Sequence, residues 1–192
     1  SGNNNVAIGS SSVLGKNTSG CCNVGIGTFS LRCNETGCFN VAMGTNAMCG
    51  NIDGHHNVAL GYLVMDKVTG GSCNIAMGYQ SLFSNTTGVR NIAQGYQALY
   101  DNTTGFDNIA LGHCASANNT TGIRNIAIGC CALLANTCGG GNVSIGVETL
   151  RNSSCVINSV AVGHCALRQT TTGGYNVAIG YTAMCLNTSG FR

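Results

Sequence analysis

The motif Asn-(Val/Ile)-Ala-x-Gly returns every 17 residues along the whole chain, and so short a period admits few folds. The anchor asparagines are Asn5, Asn23, Asn40, Asn57, Asn74, Asn91, Asn108, Asn125, Asn142 and Asn176, and Ser159 takes the same place in the tenth copy. The first spacing is 18 and every later one is 17. Eleven copies, starting at 5, 23, 40, 57, 74, 91, 108, 125, 142, 159 and 176, account for residues 1–192 as one repeat domain. Helical repeats run to roughly 33–47 residues and need helices of about ten or more, which two glycine stops in each short unit do not allow.

Taking the anchor as position 0, position 1 is always Val or Ile, and position 2 is Ala except at Gly25 and Ser144. Position 3 is apolar except at Gln94, and position 4 is always Gly. Position 8 is mostly Leu or Met and position 14 mostly Gly. Alternation over positions 0–4 has the period of a strand, and the glycine ends it. A second short strand is expected around Ala98-Leu99-Tyr100, followed by an Asn-Thr-Thr-Gly turn whose residue types favour local hydrogen bonds over helix. The pattern therefore predicts an all-β parallel solenoid, a β-roll or β-helix of eleven coils. A lone coil has no core; stacking aligns equivalent positions into continuous columns. Positions 1, 3 and 8 are expected inside, and the column of Asn is expected to form an amide ladder between coils. The small Ala at position 2 would then line a flat outer wall for self-association, as a homotrimer or an end-to-end filament.

Cysteine gives an independent test of the stacking. Thirteen in 192 residues is a density typical of oxidising compartments, and the odd number leaves at least one unpaired within the chain. Residues one period apart should sit about 4.8 Å apart, inside the Cα range of a disulfide. Rung disulfides Cys21–Cys38, Cys114–Cys131 and Cys138–Cys155 are predicted, and also Cys33–Cys49, whose spacing is 16.

The string Asn-Ile-Ala-Gln-Gly-Tyr-Gln-Ala-Leu-Tyr-Asp-Asn-Thr-Thr-Gly, Asn91 to Gly105, resembles repeats of phage and bacterial tail-fibre-type proteins and of glycoproteins of large algal viruses. The shorter cores Asn158 to Gly163 and Asn176 to Gly180 are similar to the head repeats of trimeric autotransporter adhesins. The resemblance implies a parallel β-roll, frequently trimeric, that serves as a fibre shaft or adhesive head. The cysteines depart from that pattern and favour an extracellular or virion-surface setting. The function expected is a structural fibre segment, a rigid shaft that also binds a host surface. The alternatives are a self-assembling extracellular filament and an ice-binding threonine face at Thr86-Thr87, Thr103-Thr104 and Thr120-Thr121.

Sequons occur at Asn17, Asn34, Asn85, Asn102, Asn118, Asn119, Asn152 and Asn187, and most fall on one turn of successive coils, expected to be exposed to glycosylation. Tyr62, Tyr79 and Tyr96 share position 5 on consecutive coils, either as a corner-covering ladder or as a stripe for stacking cell-surface glycans. Other chemistry has little to stand on. The six acids, Glu35, Asp53, Asp66, Asp101, Asp107 and Glu148, never pair in one column, so no catalytic role is expected. His113 and His164 lie three coils apart and no Cys-x-x-Cys occurs, so no metal or other cofactor is expected either. Eight scattered Lys and Arg make no basic stripe for nucleic acid, and no apolar run reaches the roughly 18 residues of a membrane span.

Overall fold

The computed structural model describes residues 2–11 and 13–191. It is all-β, with no helix among these residues and thus none able to cross a membrane. Each coil contributes one three-residue strand at positions 1–3: β1 (Val6–Ile8), β2 (Val24–Ile26), β3 (Val41–Met43), β4 (Val58–Leu60), β5 (Ile75–Met77), β6 (Ile92–Gln94), β7 (Ile109–Leu111), β8 (Ile126–Ile128), β9 (Val143–Ile145) and β10 (Val160–Val162). β11 (Thr172–Gly174), β12 (Val177–Ile179) and β13 (Ser189–Phe191) complete the order. One parallel sheet runs β1 to β10 and then β12, while β11 pairs with β13 and also bridges Ile157 through Gly174. Pairing is in strict repeat register: Ile75 faces Ile92 and Ile92 faces Ile109. The 18-residue first copy keeps that register, with Val6 opposite Val24.

The strand faces are the reverse of the sequence expectation. Position 2 is buried in every coil from Gly25 to Ala178, whereas positions 1 and 3 are half-buried or exposed throughout. The interior is narrow, and small residues plus Leu or Met at position 8 fill it: Ala93, Ala98 and Leu99 are fully buried in one coil. The Ala column is thus core and does not line an outer wall. The expected second strand is also absent. Positions 6 and 8 take positive φ in coil after coil, as at Gln97 (51°) and Leu99 (51°), and so does position 16, as at Asp107 (57°). Left-handed corners bend the chain too sharply for a strand there, and they turn both Ala98 and Leu99 inward. Corner backbone groups still bond between coils, as in Leu99 N–H to Ala115 C=O at 3.0 Å and Gln97 N–H to Tyr79 C=O at 2.9 Å.

A polar spine completes the interior. Asn91 Nδ2 donates to Asn74 Oδ1 (3.2 Å) and to Gly105 C=O (2.8 Å), while Asn91 Oδ1 accepts Asn108 N–H (3.0 Å) and Nδ2 (3.1 Å). The same set recurs along the stack, so the anchor ladder is present as expected. A second ladder stands at position 11, where Asn119 Nδ2 donates to Asn102 Oδ1 at 2.8 Å. The Gly105 carbonyl joins the two, accepting also from Asn102 Nδ2 at 3.1 Å. Val68 interrupts the second ladder. It offers no amide to the coil before it, and Asn51 Oδ1 is left without a partner.

Candidate functional site

The surface feature that distinguishes this solenoid is the outer face of its sheet. Stacking turns positions 1 and 3 into two outward columns of eleven residues each, apolar except for Gln94. Ten steps of about 4.8 Å make a strip on the order of 50 Å long. Beyond the position-4 glycines runs position 5, whose rings stack in sequence. Tyr62–Tyr79, Tyr79–Tyr96 and Tyr96–His113 have centroids 5.7, 5.1 and 5.0 Å apart. Since Tyr79–Tyr96 and Tyr96–His113 are within 7° of parallel, each ring covers its neighbour's face and offers solvent its edge and hydroxyl. Tyr62, Tyr79 and Tyr96 therefore form the corner-covering ladder, not a stripe of free faces for sugar stacking. The described residues form no pocket.

Of the four rung disulfides expected, Cys138–Cys155 is formed, with Cα atoms 5.1 Å apart. Closing a 17-residue loop should contribute about 3 kcal/mol. Cys138→Ser is expected to remove that amount locally, read as lost amide protection across coils eight to ten. Cys21 and Cys38 sit rung over rung as thiols with Sγ atoms 3.0 Å apart. Their hydrogen bond, then burial, pushes the Cys21 thiol up to about 11. Cys114 and Cys131 are not joined: Cys114 Sγ turns back toward Gln97 Oε1 (4.0 Å), and Cys131 lies 3.6 Å from its chain neighbour Cys130. Burial, then the Cys130 bond, pushes Cys131 up to about 11. Cys33 and Cys49 are also free, because adjacent but unequal positions meet only through the backbone, Cys33 N–H to Cys49 C=O at 3.0 Å.

The sequons divide by side-chain direction. Asn34, Asn85, Asn102 and Asn119 are fully buried in the position-11 ladder, and Asn17 Oδ1 accepts from Asn34 at 2.9 Å. A glycan on the buried amides would destroy the ladder, so burial overturns the expectation of exposure there. Asn187 is half-buried at the same position, Asn152 is half-buried with Nδ2 bonded to Gln169 Oε1 (2.9 Å), and Asn118 is exposed. The threonine columns divide in the same way, with Thr87, Thr104 and Thr121 exposed and Thr86, Thr103 and Thr120 half-buried. Thr86, Thr103 and Thr120 each donate Oγ1 to the next coil's carbonyl, at 3.1, 3.0 and 2.9 Å.

One cluster was missed by the sequence. His113 and Cys130 are successive rungs of position 5 and Cys131 follows at position 6, so their donor atoms all lie within 4.8 Å of one another. Comparing His113 only with His164, three coils away, hid its neighbour one rung below; the shared position 5 was the available signal. Charged groups are sparse: Arg90–Asp107 (2.6 Å) and Arg168–Glu148 (2.7 Å) link adjacent coils at the surface. The Arg90 guanidinium holds the Asp107 carboxyl below its ordinary range. Comparison with protein-family models, with curated proteins and with solved structures found no match.

Proposed function

We propose that the chain is a structural fibre segment of an extracellular or virion surface, a rigid shaft that associates laterally with copies of itself through the Val/Ile face of the sheet. The observation that carries it is the strip: Val6, Ile75, Ile92, Val177 and Ile179 at position 1 or 3 are all more than a third exposed on one face. Contiguous exposed apolar surface beyond a few hundred Å² marks an interaction site. The lattice of inter-coil bonds supports the shaft reading, because bending or stretching it breaks many bonds at once. Three such faces turned together would bury all the columns and leave the cysteine-bearing and threonine corners outward. An end-to-end filament would instead leave the strip exposed.

Sedimentation and native mass measurement test this. The wild-type chain is expected to be a closed oligomer, and Ile92→Lys with Ile109→Lys should weaken association at least tenfold while leaving the circular dichroism spectrum unchanged, since neither side chain is in the core. A wild-type chain that stays monomeric at high concentration overturns the proposal, and continuous filaments in electron micrographs favour the end-to-end alternative.

A further inference from the structure

We propose that His113, Cys130 and Cys131 bind one soft metal ion, zinc or copper(I), at the corner between the seventh and eighth coils. Two thiols and an imidazole are the donor set that such ions select over oxygen-preferring cations. Metal bonds of about 2.3 Å to sulfur and 2.0–2.1 Å to nitrogen place tetrahedral donors roughly 3.5–3.8 Å apart. The Cys130 and Cys131 Sγ atoms are already 3.6 Å apart, and all three donors fall within 4.8 Å. Closing the set needs only small side-chain rotations.

The backbone holds the set in place. Cys131 N–H bonds His113 C=O at 2.9 Å, and Glu148 N–H bonds Cys130 C=O at 2.9 Å, fixing the two rungs from both sides. Tyr96 stacks on the His113 ring at 5.0 Å and 5°, which restrains the imidazole without using either nitrogen. His113 and Cys130 are exposed and Cys131 is half-buried, so an ion can enter from solvent. Cys114 stands over Cys131 at position 6. A Cys114–Cys131 disulfide would remove one ligand, so the site belongs to the reduced chain.

The test is a cobalt(II) titration of the full chain reduced with a phosphine, followed by thiolate-to-cobalt charge-transfer absorption. Saturation is expected at one equivalent, with the intensity of two thiolates, and zinc should displace the cobalt. Cys130→Ser and His113→Ala are each expected to weaken binding at least tenfold. Cys185→Ser, a half-exposed thiol on the last coil, should leave it unchanged. All three variants change surface side chains, and circular dichroism checks their folding. Equal affinity in wild type, Cys130→Ser and His113→Ala, or absence of the charge-transfer band, overturns the proposal. So does a response to Cys185→Ser as large as that to Cys130→Ser, because it would reveal diffuse binding by many thiols. The outcome is independent of the oligomeric state.

Discussion

Gly78→Ala is expected to destabilise the middle of the stack by about 4 kcal/mol, summing left-handed backbone strain and overpacking. Gly78 sits at φ 118°, which side chains rarely adopt, and an added Cβ would lie 2.6 Å from the Gly95 carbonyl oxygen and 2.9 Å from its carbon. Both atoms are backbone, so no rotamer relieves the clash; the coil step itself must open. Gly180→Ala separates the two costs. Its φ is 128°, but an added Cβ would meet nothing nearer than Ala183 Cβ at 4.0 Å. It should show the backbone strain alone, about 2 kcal/mol. Hydrogen exchange resolved by coil is the suitable measurement, because solenoid stability is a sum of nearest-neighbour terms and a single melting curve blurs it. Gly78→Ala should expose the amides of coils five and six while those of coils nine and ten stay protected. Equal losses in the two variants would refute the clash.

The coil register was legible in the sequence because an invariant Gly and a 17-residue period leave one way to stack, and the pairing of Ile75, Ile92 and Ile109 follows it. The direction of the strand was not. Alternation separates positions 1 and 3 from 0, 2 and 4 without saying which set is inside, and hydrophobicity argued for Val and Ile. What decides it is width. A 17-residue coil with three left-handed corners has room for Ala and an amide, not for two branched side chains per strand. Two residues carried that signal. Gln94 is tolerated at position 3, as an outward place would allow, and the exceptions at position 2, Gly25 and Ser144, are as small as alanine. The same inversion hides the sequons: Asn102 looks like a turn residue, but its side chain belongs to the spine while Thr104 faces solvent. The expected disulfide between Cys114 and Cys131 is not formed because the two share a column but not a side-chain direction, since spacing gives height along the stack and nothing about χ1.

Asn91→Ala is expected to cost about 4 kcal/mol, the sum of lost hydrogen bonds and one buried orphan donor. The substitution removes the Nδ2 bonds to Asn74 Oδ1 and Gly105 C=O, and it leaves the buried Asn108 N–H, now bonded to Asn91 Oδ1, with no acceptor. Gly105 C=O keeps Asn102 and Asn108 Nδ2 keeps Gly122 C=O, so the damage centres on that one N–H. Asn91→Ser should cost less than half as much. The tenth coil already shows why: Ser159 N–H bonds Asn142 Oδ1 at 3.0 Å, and Ser159 Oγ accepts Asn176 N–H at 3.2 Å, so a hydroxyl carries the backbone part of the ladder without the amide. The exchange rate of the Asn108 amide reads this directly, rising by roughly three orders of magnitude in Asn91→Ala and by about one in Asn91→Ser, at about 1.4 kcal/mol for each factor of ten. Matching exchange rates in the two variants would mean that the ladder fills space without carrying hydrogen-bond energy.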